Sequence, residues 1–577
     1  MIWILQRAAR VNAEREAIAT LEESAGWLSG GVWRLEAGLR LNVDFTITHG
    51  GESFDLTLAY PDFFPDTPPL IMSRDGKRLS DHQYGPTGEL CLEFRSDNWE
   101  AQITGAMMIE SAHRLIAGER VDGEPAEVAS AHAVSEGQAL RGRRNRFLAM
   151  PELRARLAAE PFGALHEATF RERHMAETFV AWMSAYGEGD AAWNDGTVST
   201  RPAAISGLVA RVRTLTDLPE FADATELEAY LKAQEMGEAW QRVDSDPAIF
   251  VLLLADADAV RFIWIGGDPK VRAFYHYRTI VVKNEATRLP ATYAALAGKT
   301  VGLVGAGSLG SKIAVSLARS GVGRVRIFDS DISLPHNMAR NDLDWRSMGQ
   351  HKVDGVQDRI LEVAPGCVVE PRRVALGGQE SAAATAIALE KLGECDLIID
   401  ATADPRAFNF SATAAVAQKR PMLWAEVFAG GIGGMIARSV PEAHPPPQAA
   451  RRQINAWCER EGVTWEGMPI DYGILQDDRP PLIACDADVG VIAGHATRLA
   501  LDTLLQVGAS AFPASVYLIG LSAGWLFREP FDTVPIALTP EPWAVSTGDD
   551  REAVTGVVEF LTSLLPPKPD DETETAA

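Results

Sequence analysis

The sequence predicts a multidomain α/β protein, and three observations carry that expectation. A strand, a glycine-rich turn, a helix and a second strand follow one another in GKTVGLVGAGSLGSKIAVSLARSGVGRVRIFDSD, the order of a βαβ unit. In NVDFTIT and SFDLTLAY the residues Val43, Phe45 and Ile47, then Phe54, Leu56, Leu58 and Tyr60, alternate with polar ones as in an antiparallel meander. At 577 residues the chain is too long for one core, so the two patterns are assigned to separate domains.

The first segment opens with a helix-compatible stretch through Glu23, ahead of the meander. A proline-rich turn, YPDFFPDTPP, a short strand, PLIMS, a polar loop and a helix from about Ile103 to Ile116 complete it. From about Glu119 to Arg156 the chain is polar and helix-prone, with a basic cluster, RGRRNR, and reads as a solvated linker. Residues 151–290 carry amphipathic helices and the strands AIFVLLLAD, RFIWIG and RTIVVK, enough for a connecting α/β domain. The βαβ unit begins the segment 291–565, whose run VGVIAGHATRLALDTLL is a helix, and 566–577, PPKPDDETETAA, reads as a disordered tail.

Bulk properties narrow the function. Apolar residues make up 46% and charged residues 23%, which suits folded domains. A net charge of −25 repels phosphate backbones and anionic lipid, so neither nucleic acid nor membrane is an expected partner. The N-terminus is broken by Arg7, Arg10 and Glu14 and does not read as a secretion signal; the apolar stretch from Ala511 to Phe527 is broken by Pro513, Gly520 and Gly524 and reads as a buried strand. The five cysteines, Cys91, Cys367, Cys395, Cys458 and Cys485, have neither disulfide-framework nor CxxC spacing. A reducing, cytoplasmic setting is expected, in which each thiol is a core residue or a nucleophile.

Gly305, Gly307 and Gly310 follow an apolar strand, so a phosphate can approach the backbone and the helix N-terminus. The pattern alone does not separate NAD, FAD, S-adenosylmethionine and ATP. Asp329 and Asp331, about twenty residues on, lie where a carboxylate accepts ribose hydroxyls. Asn337, Arg340, Asn341 and Lys352 then supply amides and cations that a dehydrogenase does not need.

Together GAGSLGS, DSD, NMAR, the Gly349 to Lys352 segment and LIIDATAD resemble the ThiF-type adenylating superfamily over about Leu296 to Leu505. That resemblance implies a Rossmann-like adenylation domain using ATP and magnesium, often as a homodimer. In it Asp331, assisted by Asp329, holds the ribose, while Asn337, Arg340 and Lys352 contact phosphates, and Arg288 is a weaker phosphate candidate. The family commonly places a magnesium-binding aspartate where this chain has Ala403, so Asp400, or alternatively Asp404, is expected to take that role. Asp404 before Pro405 is also a good helix start.

The first segment, through YPDFFPDTPP, His82, GELCLE and Trp99, resembles a ubiquitin-conjugating α+β domain and puts Cys91 at the thioester position. Where that family has His-Pro-Asn this chain has His82-Gln83-Tyr84, which removes an asparagine that organises the loop or stabilises an oxyanion. Cys485 precedes the helix resembling the one after the activating family's catalytic-cysteine loop; the helix N-terminus favours a thiolate while Asp486 and Asp488 oppose it. Cys458, in RRQINAWCEREG, is the alternative, and Cys367 and Cys395 read as core or strand-edge residues.

The order of a conjugating-like domain with its linker (1–150), a connecting domain (151–290) and an activating domain (291–565) resembles the fused enzymes of bacterial antiphage CBASS operons. That resemblance implies activation of the C-terminus of a cGAS-like nucleotidyltransferase, thioester relay from Cys485 to Cys91, and conjugation to an unidentified amine. Two rivals are a sulfur-carrier activator ending in a thiocarboxylate and a non-catalytic nucleotide sensor that presents a protein tail.

Overall fold

A computed structural model describes residues 3–80, 82–84, 88–121, 124–125, 137, 140, 142–189, 192–215, 220–267, 272–282, 289–462, 484–506, 509–543 and 551–565. The predicted tail, 566–577, and Arg288 lie outside them. The chain divides into two compact units, Met1–Gly142 and Arg143–Ala577.

In the first unit the helix Ala8–Ser24 precedes a sheet whose meander has the predicted faces. Val43 pairs with Leu58, Phe45 with Leu56 and Ile47 with Phe54, and all six side chains are buried. The helix after the polar loop runs Gly105–Glu119, two residues later than expected at its start because the Thr104 hydroxyl caps it, accepting from the Met107 amide at 3.3 Å. Its apolar side at Met108, Ile109, Ala112, Leu115 and Ile116 closes the core over the sheet. Glu14, fully buried, ties the two helices together, accepting from the Gly105 amide at 2.6 Å and the Tyr60 hydroxyl at 2.7 Å.

The second unit holds two eight-stranded sheets. The first of these contains the three strands predicted for the connecting segment, observed as Val251–Ala255, Val260–Gly266 and Ala273–Val281. It also contains Asn145–Ala149, inside the stretch expected to be a solvated linker. Phe147 and Ala149 share one face of this strand and are fully buried, but with Leu148 between them they give no clean alternation, and the basic cluster beside them masked the strand.

The second sheet begins with five parallel strands, ordered Val368–Arg372, Arg324–Phe328, Thr300–Val304, Leu397–Asp400 and Met422–Val427. Three antiparallel strands extend it: Gly433–Ser439, Val516–Gly520 and Thr533–Ile536. The direction of winding reverses between Thr300–Val304 and Leu397–Asp400, which opens a crevice at the carboxyl ends of these strands. Helices Ser308–Arg319, Lys352–Val363 and Asp486–Leu505 pack on one face, Pro405–Ala417 and Pro447–Arg460 on the other. Arg173 and Arg201, from the neighbouring sheet's side, pair with Glu362 at 2.8 and 3.1 Å, and Arg201 with Asp358 at 2.5 Å, on the helix that Lys352 begins. No helix among the described residues is long and apolar enough to cross a membrane.

Candidate active site

The three glycines serve three different ends. Gly305 has φ +93°, and a Cβ there would meet Thr402 Cγ2 at 2.9 Å. At Gly310 a Cβ would lie 1.9 Å from the Gly305 carbonyl oxygen, so the helix can approach the strand end only without a side chain. Gly307 faces open space, with nothing within 4 Å of its built Cβ, and borders a cavity of about 480 Å³. Amides of the following helix N-terminus point the same way, the arrangement suited to a phosphate.

Around that cavity stand Asp331, Asn337, Arg340, Asn341 and Lys352, so the structure brings together most of the residues singled out from the sequence. Lys352 Nζ meets Asp331 Oδ2 at 2.8 Å, and the Lys352 amide donates to the Asp331 carbonyl at 2.8 Å. Asp329 instead braces the glycine loop, one oxygen accepting from the Ala306 amide at 2.7 Å and the other from the Asp331 amide at 2.7 Å. Asn341 holds that loop from another side, donating to the Ala306 carbonyl at 3.2 Å. The Asn337 carboxamide oxygen accepts from the Leu334 amide at 2.9 Å and shapes the turn that presents Arg340.

The two aspartates expected to bind magnesium do not line this cavity; both border a second one beside it. Asp400 is buried, one oxygen accepting from the Thr402 amide at 3.0 Å and the Thr402 hydroxyl at 2.6 Å. Burial pushes its carboxyl up to about 6 against those bonds. Asp404 caps the helix Pro405–Ala417, accepting from the Arg406 amide at 2.7 Å, and its pairing with the Arg406 guanidinium at 2.8 Å holds its carboxyl below the usual range. Magnesium asks for ionised oxygens turned toward the triphosphate, and neither carboxylate is so placed.

Cys485 is exposed and is the N-cap of the helix Asp486–Leu505. The residue before it, Ala484, and Val489 in the first turn both line the nucleotide-sized cavity. The Cys485 amide donates to Asp488 Oδ2 at 3.1 Å, and Lys312 Nζ of the glycine-loop helix reaches Asp486 at 2.7 Å. Asp488 fits because Gly431, with φ +75°, has no Cβ; one there would lie 2.2 Å from its carboxylate. Cys458 by contrast is buried among the apolar residues under Pro447–Arg460. Cys367 and Cys395 are also buried, each thiol pushed up to about 11 by burial.

In the first unit Cys91 is half-buried, and its amide donates to the His82 carbonyl at 2.7 Å. Burial pushes its thiol up while Arg95 opposes the shift. Gln83, in the position of the conjugating family's proline, organises the loop: its Oε1 accepts from the Leu79 and Ser80 amides at 2.5 and 3.1 Å, and its Nε2 donates to the Gly88 carbonyl at 2.8 Å. Trp99 donates to the Pro65 carbonyl at 2.7 Å, joining the two ends of the motif noticed in the sequence.

Ser308, His336, Thr402 and Glu426 also border the nucleotide-sized cavity and were not singled out from the sequence. Glu426 was detectable, as the one charge in the apolar strand MLWAEV; the others carried no local signal.

Residues 286–520 match the ThiF family. An uncharacterized protein of Sinorhizobium fredii, y4qC, is 24% identical over 425 residues, which are 68% of this chain and 70% of that protein. The ATP-dependent ubiquitin transferase-like protein Cap2 of Pseudomonas aeruginosa is 28% identical over 113 residues, so the alignment spans only 19% of each chain. Among solved structures, E. coli MccB with ATP is similar at 15% identity and a TM-score of 0.34, over 44% of this chain and 69% of MccB.

Proposed function

With an E1-like adenylating domain of the ThiF family as premise, we propose that the chain activates the C-terminal carboxylate of a partner protein with ATP, carries the acyl group on Cys485 and then Cys91, and joins it to an amine. The observation that carries this reading is the cavity bounded by the glycine loop, Arg340, Lys352 and Ala484, which sets a phosphate cradle one residue from an exposed thiol.

The partner's carboxylate oxygen bonds to the α-phosphorus as the bond to pyrophosphate breaks, giving an acyl-adenylate. Arg340 and Lys352 offset the developing charge, and the Asp331 carboxylate, leaving Lys352, accepts the ribose hydroxyls. The Cys485 thiolate then attacks the acyl carbon and AMP leaves. Exchange to Cys91 preserves the activated acyl group and frees the Cys485 thiolate, and attack by an amine releases the Cys91 thiolate and the amine's proton.

Similarity to the ubiquitin transferase-like protein Cap2 supports a transferase outcome, and the resemblance of the domain order supports a cGAS-like nucleotidyltransferase as the activated partner in antiphage defence. A cytoplasmic homodimer that uses magnesium brought with the triphosphate, and not held by Asp400 or Asp404, completes the proposal.

The test is incubation with ATP, magnesium and a candidate partner, followed by a search for reducible covalent adducts in wild type, Cys91→Ala and Cys485→Ala. Cys485→Ala is expected to lose both adducts and Cys91→Ala only the second. Adducts that persist in the double variant would sink the relay, and absence of pyrophosphate release with every protein tail would favour a nucleotide sensor.

A further inference from the structure

A second cavity, of about 330 Å³, adjoins the nucleotide-sized one, and the two share Ala403, Ala425 and Glu426 as a common wall. Strand alternation explains the division. Along Met422–Val427, Leu423 and Ala425 pack toward the glycine-loop helix, while Met422 and Trp424 pack toward Pro405–Ala417 and Pro447–Arg460. The second cavity therefore opens among side chains of the opposite face: Phe408, Trp424, Met435 and Ile454 form an apolar body, with Arg451 and Asn455 beside it.

Arg451 is the unusual member. Its guanidinium lies 4.8 Å from the centre of the Phe408 ring, and among the described residues it makes no hydrogen bond and no ion pair. The acids nearby make no direct bond to it. Asp400 is bonded to Thr402 and Asp404 to Arg406, and the Arg451 charge reaches Asp400 and Glu426 only through space, opposing the upward push of burial on both. A planar cation with open donors, stacked on a ring and facing an apolar chamber, suits a ligand that carries a carboxylate on an apolar body.

Ala403, Ala425 and Glu426 set the second cavity directly beside a nucleotide bound in the first. We propose that the second cavity receives the last residue of the activated chain and selects a large apolar side chain there, with Arg451 drawing its carboxylate toward the nucleotide. This deepens the adenylating reading and rests on it. A terminal glycine would leave the apolar body unfilled and forgo the burial of its surface.

The experiment uses the full chain and acetylated hexapeptides identical except for a final Gly, Leu, Phe, Lys or Asp. Their binding is measured by calorimetry with α,β-methylene-ATP present, and their activation by ATP–pyrophosphate exchange. Peptides ending in Leu or Phe are expected to bind about tenfold or more tightly than the one ending in Gly. Arg451→Ala is expected to raise peptide Kd and KM about tenfold with little change in kcat, and Arg451→Lys to recover part of the loss. Met435→Trp, which fills the cavity, is expected to erase the preference for Phe over Gly. Nucleotide affinity in the same titrations reports that each variant is folded.

Equal binding of all peptides, or an Arg451→Ala variant that binds and exchanges as wild type does, overturns this inference while continuing exchange leaves the adenylating reading intact. No binding and no exchange with any peptide overturns both.

Discussion

Cys485 and Cys91 are placed by opposite means. Cys485 is exposed at the start of a long helix, beside a cavity whose glycine-loop wall is made from strand ends, backbone amides and missing Cβ atoms. Cys91 is half-buried beside a loop whose shape depends on one carboxamide, Gln83, and its thiol feels the charge of Arg95. A site made from backbone tolerates many side-chain exchanges but very few added atoms; a site made from a loop has the reverse tolerance. The difference predicts which substitutions disable each.

The largest expected effect is Gly310→Ala. Its Cβ would stand 1.9 Å from a backbone carbonyl that cannot turn aside, so ATP binding by titration should disappear and stability should fall by about 3 kcal/mol or more. Gly307→Ala, with open space around its Cβ, should melt as wild type does while binding ATP more weakly. Normal ATP affinity in Gly310→Ala would break the claim that backbone contact builds the cradle.

Next is Gln83→Ala. Three hydrogen bonds vanish, each worth about 1 kcal/mol, so the Leu79 and Ser80 amides should exchange with deuterium about 10- to 100-fold faster, with ATP affinity unchanged. Unchanged exchange there would mean that the loop holds itself without the carboxamide.

A smaller effect is expected at Arg95. Arg95→Ala should push the Cys91 thiol further up and slow its alkylation by iodoacetamide at pH 8 by about two- to threefold, with Arg95→Lys restoring the rate. The Cys485 rate serves as the internal comparison.

The smallest concerns acid. Each unit holds an imidazole down by burial: His113, stacked on Trp27 at 3.9 Å, and His444, pushed down to about 4. The unfolded chain binds a proton near pH 6.5, so the neutral imidazole's contribution is full above about that pH and is lost as pH falls toward 4. His444→Gln should therefore flatten the fall in Tm between pH 6.5 and 4, with His113→Gln acting on its own unit; the same slope in both variants as in wild type would remove histidine as the cause.

Much of the contrast between the two sites is legible in the sequence because glycine spacing and strand alternation are local. GAGSLGS and DSD announce the glycine loop and its acids, and NVDFTIT and SFDLTLAY announce the first core with the buried face later observed. What escaped reading depends on direction. LIIDATAD offers Asp400, or alternatively Asp404, for magnesium, but the end of the strand turns Asp400 toward the opposite face and the helix start engages Asp404. Cys458 and Cys485 are similarly placed in polar-looking stretches, and only packing separates a buried thiol from an exposed one. The strand Asn145–Ala149 escaped because its basic neighbours outweigh two buried side chains.

The arginine clasp on the helix Lys352–Val363 bears on how such a chain could be recombined. Glu362 and Asp358 meet Arg173 and Arg201, which come from outside the nucleotide-binding sheet and more than 150 residues away in sequence. Cutting near residue 290 would strip those partners and leave carboxylates facing nothing on the very helix that presents Lys352. A splice at Gly142 severs no such clasp within the second unit. Inheritance by shuffling, or a laboratory chimaera, should therefore carry 143–565 as one cassette and exchange only what precedes it.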